Sequence, residues 1–167
     1  MRCFIAAWPD DATRRRLQHL IETLAPRVPQ ARPMQPRNLH LTLAFIGTLD
    51  DAAAAHLAGA SGGPVQNTFE WSIDALGWFA RARVAWAGGA SNAELDAAAA
   101  HARAQLDRLA IAYDSKPFVP HVTLFRDARR FDCSGPLTPP LAWRTATVAL
   151  YAAATDATGP IYRKVEP

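Results

Sequence analysis

The stretch NLHLTLAFIG, residues 38–47, decides how the chain folds. Every second residue in it is a large apolar one: Leu39, Leu41, Leu43 and Phe45. This period of two predicts a β-strand with one buried face, on which all four side chains pack. His40 and Thr42 then lie side by side on the other face, where a lone histidine is more often a structural residue than a catalytic one.

A second stretch, FVPHVTLF at residues 118–125, repeats the pattern. His121 and Thr123 share one face of the predicted strand, and Val122 and Leu124 occupy the other. Two strands with the same H-x-T-L order indicate an internal duplication. Duplicated halves would bring both strands to the middle of one pseudo-symmetric sheet, so that two histidines and two threonines converge on one cleft.

The segments around these two stretches alternate between strand and helix patterns. Further strands are predicted at 2–8, 69–79, 83–88, 142–153 and 160–166, and helices at 9–25, 47–60 and 92–110. Thr48 with Asp51, and Ser91 with Glu94, have the spacing of capping boxes for the second and third helices. Strands mixed with helices predict an α+β or α/β fold with helices packed on the sheet, and no linker divides the chain of 167 residues into domains.

Composition excludes several classes of protein. Half of the residues are apolar and a fifth are charged, which is typical of a globular domain. The net charge of +3 suits an anionic partner without establishing one. The apolar start is too short for a signal peptide, no apolar run is long enough to cross a bilayer, and Cys3 and Cys133 lack metal-site spacing. We therefore expect a cytoplasmic protein with reduced thiols.

The paired boxes favour acid–base chemistry on a phosphate. A metal site is disfavoured, since zinc takes three or four ligands from His, Cys, Asp and Glu. No G-x-S-x-G elbow and no phosphate-binding glycine loop is present. Two imidazoles can act as a base and an acid around a phosphorus atom, while Thr42 and Thr123 hold the non-bridging oxygens. A strained cyclic phosphate fits this set, because water can attack it without a metal.

Arg126 is the candidate for the cation that neutralises the charge of the transition state. Strand alternation puts Arg126 on the opposite face from His121. The hypothesis therefore requires the strand to end or to bulge after Phe125. The alternative is an arginine in a salt bridge at the rim.

At these residues the chain resembles the two-histidine (2H) phosphoesterases, which are defined by paired H-x-[ST]-x boxes. Within them it is most similar to the RNA 2',3'-cyclic phosphodiesterases of the bacterial 2'-5' RNA ligase branch. The boxes are HLTL at 40–43 and HVTL at 121–124. RCFIAAWP, FVPHVTLFR and GPIYRKVEP resemble the opening strand, the second box and the last strand of that family. The likeness spans nearly the whole chain.

The resemblance implies an α+β, bilobal fold, in which two pseudo-symmetric lobes, each with an antiparallel sheet and packed helices, surround a central cleft. It implies hydrolysis of RNA 2',3'-cyclic phosphate ends to 2'-phosphomonoesters without a metal or other cofactor, with 2'-5' RNA ligation as a side activity. His40 would be the proton donor and His121 the proton acceptor, while Thr42, Thr123 and Arg126 would bind the phosphate. The implied protein is a monomer that binds RNA ends, tRNA fragments included, and no membrane.

Two alternatives stay open at this point. One is a non-catalytic RNA or nucleotide-binding module that keeps the cleft without the chemistry. The other is a 2H phosphoesterase that acts on a non-RNA cyclic phosphate or on a 2'-5' linkage. The chain also departs from many relatives in the stretch LYAAAT, where Ala152 or Ala153 replaces a serine.

Aromatic residues near the boxes are assigned by default to packing. Trp8 and the other four tryptophans are expected in the core or on the sheet. Phe45 and Phe125 are expected in the core, with the alternative that an aromatic ring near the cleft stacks on a base.

Overall fold

A computed structural model describes residues 1–60, 65–157 and 159–166, with residues 65–68 and 145 described by their backbone alone. The described α-helices are α1 (Asp11–Leu24), α2 (Asp51–Ala60) and α3 (Ala93–Arg108). The described strands are β1 (Arg2–Pro9), β2 (Arg32–Pro33), β3 (Leu41–Thr48), β4 (Val65–Phe79), β5 (Val84–Gly88), β6 (His121–Arg126), β7 (Gly135–Asp156) and β8 (Gly159–Lys164). None of the described helices has both the length and the apolar character needed to span a membrane.

The strands form one antiparallel sheet in the order β1-β3-β6-β5-β4-β7-β8. The short strand β2 is added beside β6, and the long strand β7 also pairs with β1. The expected α+β class and antiparallel pairing are therefore confirmed. The division into two pseudo-symmetric lobes, each with its own sheet, stays a prediction, because the described strands are hydrogen-bonded into one continuous sheet.

The two faces of the sheet carry different groups of side chains, and β1 shows this most clearly. Cys3, Ile5 and Ala7 join the main core, which contains the buried side chains of all three described helices, such as Leu17 of α1 and Leu95 of α3. The alternate residues of β1 pack on the other face in a smaller cluster: Phe4, Ala6 and Trp8. The helices thus cover one face and leave the other for the paired boxes.

Two of the expected helix starts differ in the structure. Thr48 still belongs to β3, and the carboxylate of Asp50 accepts the backbone N–H of residue 53 at 2.7 Å. The third helix is capped by Asn92 rather than Ser91, since the Asn92 side chain accepts the N–H of residue 95 at 2.9 Å. Both are ordinary capping side chains, so the pattern predicted each helix while misplacing its first turn by one or two residues.

Candidate active site

The two H-x-T-L boxes lie on neighbouring strands. Leu41 of β3 stands opposite Val122 of β6 in an antiparallel pair. An antiparallel pair has a local two-fold axis, so this register puts Thr42 across from His121 and relates each box residue to its counterpart in the other box. The expected meeting of the boxes in the middle of one sheet is what the register produces.

Both histidines are anchored in the same way. His40 Nδ1 lies 2.7 Å from the carbonyl oxygen of Asn38, and His121 Nδ1 lies 2.7 Å from the carbonyl oxygen of Val119. A carbonyl oxygen only accepts hydrogen bonds, so each Nδ1 carries a hydrogen and donates it. In the neutral ring, the lone pair is then on Nε2, which is the atom left to exchange a proton with a ligand.

A β-bulge follows the threonine of each box. Along β3 the partners of Ile5 and Ala6 are Ala44 and Thr42, so Leu43 is an extra residue. Along β6 the partners of Ala85 and Trp86 are residues 125 and 123, so residue 124 is extra in the same place. Each bulge puts two buried residues in succession and reverses the alternation beyond them.

The second bulge brings Arg126 to the face that carries His121. Leu124 and Phe125 are both buried, at 0 % and 1 % exposure, and Arg126 is partly exposed again. The required bulge is therefore present, but it precedes Phe125 instead of following it. Arg126 lines a cavity together with His40 and is among the charges that lower the pKa of both histidines.

The first bulge overturns the prediction that Phe45 packs in the core. Ala44 takes the buried position with 2 % exposure, and Phe45 is 39 % exposed. Phe45 occupies the position in β3 that Arg126 occupies in β6, five residues after the box histidine. Its ring faces the cleft, with the Arg2 guanidinium 5.6 Å from the ring centroid.

Aromatic rings enclose His40. The Trp8 ring is nearly parallel to the imidazole, with 4.8 Å between centroids and 6° between planes. Phe4 stacks at 5.0 Å and Tyr162 meets the imidazole edge-on at 5.1 Å. Trp8, expected only as a packing residue, therefore contacts a candidate catalytic side chain. Nothing in the sequence indicated this, because β1 and β3 are joined by tertiary pairing.

His121 has fewer such neighbours than His40. The Phe79 ring is perpendicular to the imidazole, with centroids 5.0 Å apart, and Trp86 is tilted at 6.3 Å. Trp86 reaches this place because its opposite residue in β4 is Gly77, where a Cβ would overlap the indole ring. The two boxes thus have the same backbone but different surroundings.

Burial keeps both histidines neutral in the free protein. Desolvation lowers the pKa of His40 from 6.5 to about 4, aided by the positive charge of Arg126 and by His121 and opposed by the bond to Asn38. Desolvation likewise lowers the pKa of His121, again aided by Arg126 and opposed by the bond to Val119. Both rings are therefore unprotonated at neutral pH, and a negative ligand beside Arg126 would raise the pKa of each.

Two cavities meet at the boxes. One of about 280 Å³ lies beside His40 and is lined by these residues: Arg2, Phe4, His40, Thr42, Phe45, Arg126, Ala153 and Tyr162. The other, of about 430 Å³, lies beside His121 and shares Thr42 and Phe45 with the first. Thr123 is on the strand face of His121 but does not line either cavity. Of the two alanines considered for the serine position, Ala153 lines the first cavity, while Ala152 is buried.

Asn38 is a residue whose role was not predicted. Its carbonyl holds His40, and its side-chain amide donates to the carbonyl of Pro160 at 2.7 Å, which fixes the turn before β3 to the start of β8. In the sequence, Asn38 is only the first residue of NLHLTLAFIG, and that pattern does not indicate a role for it. Within the described ranges, no group of three or more His, Cys, Asp and Glu side chains could hold a metal ion.

Comparisons with known proteins agree with this geometry. The protein-family model described as LigT like Phosphoesterase matches residues 8–86, which include the first box. The RNA 2',3'-cyclic phosphodiesterase of Thermotoga maritima is 28 % identical over 98 % of this chain and 92 % of its own length. That of Escherichia coli K12 is 37 % identical over 58 % of this chain and 56 % of its own length. The crystal structure of E. coli LigT complexed with 3'-AMP superposes with a TM-score of 0.84 at 28 % identity, covering 99 % of this chain and 95 % of that one.

The chain resembles the LigT-like phosphoesterases of the two-histidine superfamily. The family-model match ends at residue 86, before the second box, whereas the alignment with the T. maritima relative spans almost the whole chain. This likeness leads us to expect that both boxes act in the chain.

Proposed function

We propose that this chain is a LigT-like phosphoesterase that hydrolyses RNA 2',3'-cyclic phosphate ends to 2'-phosphomonoesters without a metal, with His40 and His121 as its acid and base. The observation that carries the proposal is the identical anchoring of the two rings, each with Nδ1 bound to the carbonyl two residues before it, on two-fold related strands. Two histidines that differ only in their surroundings suit an in-line displacement, which needs one proton acceptor and one proton donor.

The proposed reaction is a single displacement at phosphorus. His121 Nε2 accepts a proton from water as the water oxygen forms a bond to phosphorus. The bond from phosphorus to the 3' oxygen breaks, and His40 Nε2 donates its proton to that oxygen. The products are a 2'-phosphomonoester and a 3' hydroxyl. Which histidine plays which role rests on the resemblance to the family, because the near-identical boxes do not distinguish them.

Three further side chains hold the phosphate in this proposal. The hydroxyls of Thr42 and Thr123 donate to its non-bridging oxygens, and Arg126 neutralises the charge that builds up on them. The bound phosphate also offsets the positive charge that Arg126 exerts on both histidines in the free protein, which raises their pKa values. Substrate binding thereby favours the protonated form of His40, which the proposed reaction needs as its acid.

A nucleoside 2',3'-cyclic phosphate, incubated with the protein in EDTA, tests the proposal directly. Phosphorus NMR should show conversion to the 2'-phosphate and not the 3'-phosphate. His40→Gln and His121→Gln should each lower kcat by at least about 100-fold, the contribution of general acid–base catalysis. His56→Gln, an exposed histidine of α2, is the matched control and should leave the rate unchanged.

The proposal fails if EDTA abolishes turnover or if both box variants keep the wild-type rate. RNA binding without hydrolysis would instead favour the non-catalytic module. Faster turnover of a non-RNA cyclic phosphate, or of a 2'-5' linkage, would identify another substrate for the same site. The rate should also depend on pH as a bell whose limbs belong to the histidine pair jointly.

The proposal includes the finer expectations drawn from the family. These are one domain of two pseudo-symmetric lobes over residues 1–167, a monomer in the cytoplasm, and tRNA fragments among the substrates. Joining of a 2',3'-cyclic phosphate to a 5' hydroxyl, the counterpart of hydrolysis with an alcohol in place of water, is included as the side activity. Size-exclusion chromatography with light scattering tests the monomer, and a radiolabelled pair of RNA ends tests the joining reaction.

A further inference from the structure

Two arginines stand opposite each other beside the catalytic cavity. Arg32 of β2 is the pairing partner of Arg126 of β6 in the antiparallel ladder. Side chains in such a pair project from the same face of the sheet, and like charges directly opposite each other are destabilising. The two neighbouring positive charges therefore favour the binding of an anionic group that contacts both guanidinium groups.

The protein supplies only part of that negative charge. Arg32 forms an ion pair with Asp127 at 3.3 Å, but the two side chains are 56 % and 66 % exposed, and such surface pairs are weak. Among the described residues, no carboxylate lies within ion-pair distance of Arg126. The repulsion between the two arginines is thus not cancelled by the described part of the chain.

A cavity of about 190 Å³ lies at this pair. Its walls contain both arginines and no carboxylate: Arg32, Pro33, Met34, Gln35, Asn38, Arg126, Gly159, Pro160 and Tyr162. Arg126 and Tyr162 also line the catalytic cavity beside His40. The two cavities are therefore neighbours that share one wall, and Arg126 stands between them.

The position of the cavity matches the geometry of an RNA end. In the proposed reaction, His40 protonates the 3' oxygen, so the ribose of the terminal nucleoside lies on the His40 side of the phosphate. The 5' oxygen of that ribose bears the next phosphodiester of the strand, a single negative charge one nucleoside away. The cavity with Arg32 and Arg126 adjoins the His40 side and not the His121 side, whose cavity contains neither of these two arginines.

We propose that Arg32 and Arg126 bind the phosphodiester on the 5' side of the terminal nucleoside, so that the site recognises a cyclic phosphate at the end of a strand over a free nucleoside cyclic phosphate. This rests on the proposed function, whose substrate it narrows. Arg126 then contacts two phosphates, the cyclic one and the next one along the strand, and Arg32 contacts only the second.

The test compares two substrates that differ only in that phosphate. One is a nucleoside 2',3'-cyclic phosphate with a free 5' hydroxyl, and the other is the same compound carrying a 5'-methylphosphate diester, which adds one charge and no second base. The ratio of their kcat/KM values is expected to favour the diester by about 10-fold or more, since bonds between ionised groups are among the strong hydrogen bonds.

Substitutions test which residues produce the preference for the diester. Arg32→Gln should reduce the ratio about 10-fold, and Arg32→Lys should keep part of it, because a lysine retains the charge without the planar fork. Asp127→Asn should raise the ratio, since it removes the competing carboxylate. Arg15→Gln removes the same charge from an exposed position on α1, on the helix-covered side of the sheet, and should leave the ratio unchanged.

A wild-type ratio near 1, or an Arg32→Gln ratio equal to that of the wild type, overturns the inference while leaving the proposed function standing. If neither compound is hydrolysed, the proposed function fails on its own. Dissociation constants of the corresponding 2'-phosphates, measured by calorimetry with and without the 5'-methylphosphate, then give the same ratio without chemistry. Because each ratio is internal to one variant, a partly unfolded preparation does not change it.

Discussion

His40 is expected to make the folded protein sensitive to acid. In the folded protein its pKa is about 4, chiefly because burial penalises the charged ring, whereas its ordinary value is 6.5. The unfolded chain therefore binds a proton at His40 more readily than the folded protein does. The stability contributed by the neutral ring is complete above pH 6.5 and is lost as the pH falls from 6.5 towards 4, where both states become protonated.

The size of this loss follows from the difference between the two pKa values. Each pKa unit corresponds to about 1.4 kcal/mol, so a fall from 6.5 to about 4 gives up to roughly 3 kcal/mol. Urea unfolding of the wild type and of His40→Gln at pH 7 and at pH 4 measures it. The wild type should lose up to roughly 3 kcal/mol more than the variant between these two pH values.

Two variants control the experiment. His121→Gln should also reduce the acid sensitivity, because burial lowers the pKa of His121 in the same direction. His56→Gln, with an exposed side chain on α2, should have the same pH dependence as the wild type. Parallel pH dependences for the wild type and His40→Gln would refute the reasoning, since they would mean that burial of the ring costs nothing when it is protonated.

Four other substitutions have expected outcomes. Arg126→Gln should lower kcat/KM for a nucleoside cyclic phosphate about 10- to 100-fold. It should also move the acid limb of the pH profile to higher pH, because it removes a charge that lowers the pKa of both histidines. An unmoved limb would contradict this. Phe45→Ala should change the free energy of unfolding in urea by less than about 1 kcal/mol, because the Phe45 ring is exposed. Phe125→Ala should lower it by about 3–5 kcal/mol, because the Phe125 ring is buried. Equal losses would place both rings in the core. Gly77→Ala should cost about 1–3 kcal/mol in the same assay, because its Cβ overlaps the Trp86 ring, and an unchanged midpoint would show that the indole moves freely.

Local patterns predicted most of the fold and the two boxes. The alternation in NLHLTLAFIG and FVPHVTLF located β3 and β6, and the repetition of the boxes predicted that they meet, as the pairing of Leu41 with Val122 bears out. These features are visible in the sequence because they depend on residues within one strand or on the likeness of two strands. The roles of the box residues in catalysis stay predictions.

The errors come from features that depend on partners elsewhere in the chain. Strict alternation assigned Phe45 to the core, since a bulge is set by the pairing with β1 and not by the sequence of β3 alone. For the same reason the bulge of β6 was expected after Phe125, whereas its extra residue, Leu124, precedes Phe125. The stacking of Trp8 on His40 arises from pairing across 32 positions of sequence, which no periodicity reveals.

The two-fold relation between the anchored histidines has a consequence for successive turnovers. In the proposed reaction, one cycle takes a proton from His40 and gives one to His121, while both Nδ1 hydrogens stay on their carbonyls. Each imidazole thus gains or loses a proton at Nε2 while its orientation stays fixed, so no ring flip has to precede the next cycle. After one cycle the proton is on His121 instead of His40, and its transfer through solvent from one Nε2 atom to the other restores the starting state.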